Sequence, residues 1–279
     1  MAATSIPSKP IVFYDIAPRP PVEENCYAPN PWKARFALNF KNVPYETSWV
    51  ALPDVAKVRS SLKVPPCRKF ADGTDFYTLP ILEDPATNSF VGDSFDIAVY
   101  LQNTYPNSGG GDLFPPQTLD YVFEQDPALM VPLSECRASK YPEYAKFNTN
   151  VDAAFTAHAQ LMVQGLLFDP ATAEISRAEF VRRAGVRCWE DFALVGEARE
   201  KMKLSLRNML GDLARLFVRD TGAPFLLGKR ATYADFIVGG WLRMMCMTLP
   251  ESEWEEVRSW HEGCFGQLYD ALKEYTEVK

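Results

Sequence analysis

Three short stretches of this chain carry residue types suited to holding a small polar ligand. Thr78-Leu79-Pro80 stands at the start of an apolar run. A proline there is a candidate cis peptide, a bond that is uncommon and usually retained for a purpose. Turned outward, the N–H and C=O of Leu79 can pair with an extended peptide as a sheet edge does. A trans proline opening an edge strand is the plainer alternative. Further on, Asp93-Ser94 opens a helical pattern. The free N–H groups and dipole of a helix start favour an anion. Ser94 can therefore hold a carboxylate and Asp93 an ammonium, the two charges at the free amino-acid end of a γ-glutamyl group. Simple capping is the other use of such a pair. The third stretch, Ala28-Pro-Asn-Pro-Trp-Lys33, lies between the first strand and the first helix. A helix start aimed at a bound thiol from that place lowers the thiol pKa. A fourth pattern, Thr232-Tyr-Ala-Asp235, is a hydroxyl N-cap with an acid three residues on. That capping-box variant is structural.

These stretches need elements to position them. Residues 9–14 read as a first strand. The proline-rich residues 18–31 read as loop. Trp32, Phe36 and Phe40 repeat at helical spacing, with Pro31 suited to the first helical position. Residues 45–50 read as a second strand and 54–62 as a second helix, followed by a polar loop. Residues 77–82 and 89–91 read as two brief strands joined by a turn. A third helix opens at Asp93-Ser94, with Ile97, Tyr100 and Leu101 on one face. Residues 105–112 are dense in proline, glycine and polar types and form the clearest linker. From about residue 118 onward helical patterns dominate. The expected organisation is an α/β unit at 10–105 and an all-helical unit at 118–279.

Composition narrows the function classes. The 279 residues carry a net charge of −7, which argues against a nucleic-acid face. The cysteines, Cys26, Cys67, Cys136, Cys188, Cys246 and Cys264, are scattered without a CxxC pair. That pattern reads as reduced thiols, mostly core filler, in a cytosolic protein. His158 and His261 have no ligand-spaced partners, so no metal is expected. The first ten residues lack the pattern of a signal peptide, and no run approaches the ~20 apolar residues of a membrane span. The P-loop, HExxH, GxSxG and GxGxxG patterns are all absent.

Taken in order, the four stretches resemble the cytosolic glutathione transferases. The resemblance covers nearly the whole chain. Asn30-Pro-Trp-Lys-Ala-Arg-Phe-Ala-Leu-Asn-Phe40, Asp72-Gly-Thr-Asp-Phe-Tyr-Thr-Leu-Pro80 and Gly92-Asp-Ser-Phe-Asp-Ile-Ala-Val-Tyr-Leu101 look like the fungal FuA class, a class related to bacterial lignin β-etherases. The resemblance implies a thioredoxin-like α/β N-terminal domain joined to an all-α C-terminal domain. It implies glutathione as ligand and co-substrate, held by Leu79, Pro80, Asp93 and Ser94. It also implies a second pocket for aromatic molecules, and a cytoplasmic homodimer. Relatives of this kind conjugate glutathione to electrophiles, break aryl ethers or peroxides, or bind aromatics without turnover.

One departure bears on chemistry. The family places Ser, or Cys in related classes, where this chain has Ala28. A thiol of pKa ~8.5 is only a few per cent ionised at neutral pH. Lowering it by two units takes ~2.7 kcal/mol, of which a hydroxyl donor gives about 1.5–3 kcal/mol. Ala28 gives none, and Pro29 and Pro31 have no N–H. Asn30 is the best remaining thiolate partner and the candidate catalytic residue, with the Trp32 N–H, Tyr27 and Cys26 as alternatives. The glycyl carboxylate of the ligand needs a cation, and Lys63, Arg68 and Lys69 all qualify. Residues 121–123 are a candidate for part of the aromatic pocket wall, with core packing as their more ordinary role. An enzyme with weak or unusual thiol activation, a non-catalytic ligandin and a bare interaction module are the three functions in play.

Overall fold

The computed structural model describes residues 9–124, 131–134, 138–217 and 223–279. Cys136 and most of the N-terminal tail lie outside them. The first part of the chain runs β1 (Ile11–Ile16), α1 (Val22–Asn25), α2 (Pro29–Phe40), β2 (Tyr45–Val50), α3 (Val55–Ser61), β3 (Arg68–Lys69), β4 (Asp75–Phe76), β5 (Ile81–Asp84), β6 (Ser89–Gly92) and α4 (Ser94–Thr104). The main sheet has the order β2-β1-β5-β6. β1 and β2 are parallel, joined across α2, whereas β1–β5 and β5–β6 are antiparallel. This is a thioredoxin-like unit.

Alternation along β1 sends side chains to the two sheet faces. Ile11 and Phe13 enter the main core with Trp32, Phe36, Ile97 and Leu101. Tyr14 and Ile16 face a smaller core of Val50, Val55, Val64, Leu79 and Ile81 under α3.

The second part is helical: α5 (Pro142–Ala157), α6 (Gln160–Val163), α7 (Ala173–Ala184), α8 (Gly196–Phe217), α9 (Tyr233–Thr248), α10 (Glu251–Ser259) and α11 (Cys264–Ala271). α9 is nearly all buried and packs along α2. Gly240 makes this possible where it matters, because a Cβ there would lie 2.5 Å from the Pro29 carbonyl. Thr232 and Asp235 form the expected capping box at the start of α9. Asp235 accepts from Thr232 N (2.7 Å), Thr232 Oγ1 (2.8 Å) and Leu226 N (2.9 Å).

Several expectations move. The proline-rich stretch 18–31 contains the short helix α1, and α2 starts at Pro29 rather than Pro31. Prolines at the first and third helical positions both lack only N–H groups that a helix start leaves unbonded anyway. The strand expected at 77–82 shifts to Ile81–Asp84, because Pro80 lies before the ladder begins. Helix does not dominate from residue 118. The described residues between 113 and 141 are irregular, and α5 opens only at Pro142. Tyr121 is buried in the core against Phe147.

Candidate functional site

Two adjoining cavities lie where the sheet unit meets the helical unit. The first, about 160 Å³, opens at the start of α2. It is lined by Ala28, Asn30, Leu79, Arg68, Phe180 and Arg183, with further apolar walls. The second, about 150 Å³, is polar and lined by Asp93, Cys67, Ser134, Asn148 and Asp152 among others. Residues 67–68 and 131–134 form the partition between them.

Each of the expected residues can now be located. Asn30 and Leu79 line the first cavity. Asp93 lines the second and caps α4, its Oδ1 accepting from Phe95 N at 2.9 Å. Ser94 is the first residue of α4 and is buried. Pro80 is buried behind Leu79, and the Leu79–Pro80 bond is cis. Ser94 and Pro80 line neither cavity.

At the thiol position Ala28 precedes α2 with no side-chain cap. The Trp32 N–H, one alternative donor, is spent on the Ala28 carbonyl at 3.1 Å. Tyr27 and Cys26 are buried and do not line the cavity. The Cys26 thiol donates to Glu23 O and is pushed up to about 12 by burial. Asn30 is different. Its Oδ1 is buried without a hydrogen-bond partner among the described residues. A buried amide oxygen left unpaired costs about 1–3 kcal/mol, so a ligand donor there is favourable. The two amide ends are interchangeable by a flip, so Asn30 can accept from a thiol or donate to a thiolate.

The three candidate cations separate by burial. Lys63 is exposed, and Lys69 is exposed and 3.8 Å from Asp75. Arg68 is 8% exposed and faces the first cavity. Its Nε donates to Ser134 Oγ (3.1 Å) and its Nη1 to the Pro132 carbonyl (3.1 Å).

Side chains that sequence reasoning missed hold this arrangement. Arg59, fully buried on α3, donates to Pro65 O (2.7 Å), Thr78 O (2.6 Å) and Gly92 O (3.3 Å). It thus ties together the segments just before Arg68, Leu79 and Asp93. α7 packs over the 3-10 turn at Leu52–Asp54 and sends Phe180 and Arg183 into the first cavity. Arg183 donates to Glu179 and to the Tyr77 carbonyl, both at 2.8 Å, and lies over the Phe76 ring. Burial lowers its pKa. The outer wall of the cavity therefore comes from α7, not from residues 121–123. Beneath the polar cavity, buried Lys33 pairs with Asp152, which also accepts from Trp241 Nε1 (2.7 Å).

The glutathione S-transferase N-terminal domain family matches residues 27–104, and the glutathione S-transferase C-terminal domain family matches residues 149–275. The chain belongs to the glutathione transferase superfamily. Solved relatives share the whole two-part fold. Glutathione transferase GSTFuA3 of Phanerochaete chrysosporium has a TM-score of 0.76 and 28% identity, over 97% of this chain and 99% of that one. A glutathione S-transferase of Ceriporiopsis subvermispora, solved in complex with glutathione, has a TM-score of 0.74 at 28% identity, with the same coverage. The chain is also 27% identical to the glutathione S-transferase-like protein ustS of Aspergillus flavus, over 98% of this chain and 94% of that protein. This superfamily member is therefore similar to FuA-class enzymes along its full length.

Proposed function

We propose that the protein binds glutathione across the two cavities and presents its sulfur to an apolar, aromatic electrophile under α7. Asp93 takes the ammonium of the γ-glutamyl group, and Ser94 and the start of α4 its carboxylate. The Leu79 backbone pairs with the cysteinyl residue, Pro80 fixing its place. Asn30 is the catalytic residue that meets the sulfur. The observation that carries this reading is the junction itself. The α2 start, Asn30 and Leu79 share an apolar cavity, and Asp93 heads the polar cavity next to it. The glutathione-bound relative from Ceriporiopsis subvermispora supports the ligand.

In the reaction the thiolate sulfur forms a bond to an electrophilic carbon, and the leaving group departs with its bonding pair. Aryl halide conjugation and aryl ether cleavage both follow this scheme. The test is glutathione-dependent release of halide from a chlorodinitrobenzene, and of phenol from a β-aryl ether. Turnover above the uncatalysed rate that falls at least tenfold in Asn30→Ala supports the reading. Equal turnover in both proteins contradicts the role of Asn30.

Ala28 favours a second reading, a ligandin that carries aromatic metabolites without turnover. Saturable binding of an aromatic dye together with no turnover of either substrate would select it. The resemblance adds a homodimer in the cytoplasm to the proposal, and sedimentation equilibrium checks the dimer.

A further inference from the structure

Among the described residues, the cavity at the start of α2 is lined by two guanidinium groups and no carboxylate. Arg183 pairs with Glu179 at 2.8 Å, a carboxylate that it shares with the more exposed Arg182. Arg68 has no such partner: among the described residues no carboxylate lies within 4.0 Å of it, although it is 8% exposed. A buried charge without a counter-ion is costly, and sites that bind an opposite charge are where such groups persist. Two of its nitrogens are held by the 131–134 segment, Nη2 has no hydrogen bond among the described residues, and the residue lines the cavity. Its link to an acid runs through one hydroxyl. Ser134 Oγ accepts from Arg68 and donates to Asp93 Oδ2 at 2.7 Å.

We propose that Arg68 holds the glutathione thiolate in this chain, replacing the hydroxyl that Ala28 lacks, and that Ser134 couples this role to the ligand's amino end at Asp93. The proposal rests on the glutathione-binding reading above. Without ligand, Asp93 balances Arg68 through Ser134. An ammonium bound at Asp93 neutralises that carboxylate. The charge of Arg68 then falls on the cavity shared with Asn30 and Leu79, where the one anion to form is the thiolate. The S–H proton leaves to solvent and no other bond changes. Recognition of the amino end thus becomes a condition for ionising the sulfur.

Among the described residues, the other charged or titratable groups around Arg68 do not supply its counter-ion. Arg59 and Cys67 lie on its own side, with the Cys67 thiol raised by burial. Lys33 faces it from α2 and is paired with Asp152 of α5. Arg183 faces it from α7 and shares Glu179 with Arg182.

The experiment is an ultraviolet titration of bound thiolate, with calorimetry confirming that each ligand is bound. Glutathione and its des-amino analogue, glutaryl-cysteinyl-glycine, are compared on the unmodified protein and on Arg68→Met, Arg68→Lys and Ser134→Ala. On the unmodified protein the analogue is expected to titrate at least half a unit above glutathione. Arg68→Met is expected to raise the glutathione value by one unit or more, about tenfold less thiolate below the pKa. Arg68→Lys recovers part of this, and Ser134→Ala shrinks the gap between the ligands. Equal values for the two ligands on the unmodified protein would overturn the coupling, even if Arg68→Met failed to fold. Weaker binding with an unchanged pKa in Arg68→Met would overturn the proposal by making Arg68 a carboxylate holder. Failure of the unmodified protein to bind glutathione at all would instead refute the reading on which it rests.

Discussion

At the scale of single residues, the thiol chemistry depends on what replaces one missing hydroxyl. Ala28 offers no side-chain donor, and the prolines on either side of Asn30 offer no N–H. Asn30, whose oxygen has no partner among the described residues, and Arg68, whose charge has no counter-ion among them, stand in the same cavity. If both already serve the sulfur, Ala28→Ser gains little. We expect less than about a threefold rise in kcat/KM on the native background, against about tenfold in Arg68→Met, since groups acting on one charge are not additive. Steady-state conjugation rates of the four proteins measure this. The places of Asn30, Asp93 and Ser94 at helix starts were readable from sequence because helix starts follow local rules of capping and free N–H groups. That Arg68, rather than Lys63 or Lys69, is buried beside the cavity was not. It depends on burial under residues 131–134, which lie more than sixty positions away. Arg59 was invisible for the same reason: its acceptors are carbonyls of three separate segments, and a carbonyl leaves no mark in the sequence.

At the scale of elements, the site is as firm as the helix starts that frame it. The start of α9 is the most loaded. Asp235 is fully buried, accepts three hydrogen bonds and has its pKa raised from 3.8 to about 6, chiefly by burial. A raised carboxyl pKa means that the folded state binds more protons than the unfolded state between pH 4 and 6. Stability from this group is therefore present at the acid end and declines as pH rises through that window, by about 3 kcal/mol for two units. Asp235→Asn does not titrate. Its cost relative to the native protein is expected to be larger at pH 4 than at pH 7, and denaturant unfolding at the two values checks this. A difference independent of pH would contradict it. The capping box was legible because its two partners are three residues apart. The irregular stretch before α5 was not. Its apolar residues, such as Tyr121, resemble a helical face by composition but are buried by contacts with α5. Nothing in the local periodicity of α7 says that Phe180 and Arg183 reach the cavity, because that depends on how α7 docks on the turn at Leu52–Asp54.

At the scale of the whole molecule, α2 joins the two parts. It packs on α4 on one side and α9 on the other, and buried Lys33 carries the connection to α5 through Asp152 and to α9 through Trp241. Breaking one side of such a pair leaves a charge in the interior. Asp152→Ala is expected to cost about 3–5 kcal/mol, whereas Lys33→Met combined with Asp152→Leu is expected to cost much less. Equal losses in thermal or denaturant unfolding would contradict this account of the junction. The two-part architecture itself was legible in order and spacing, with strands and short helices first and helical patterns after the linker. The cavities were not, since each is built from both parts.

The most direct test of the central claim is a calorimetric titration of the full chain with glutathione. The account predicts a saturable 1:1 isotherm with a dissociation constant below about 1 mM, weakened at least tenfold by Asp93→Ala, a change of about 1.4 kcal/mol or more. No binding at millimolar glutathione, or the same affinity in Asp93→Ala, would contradict it.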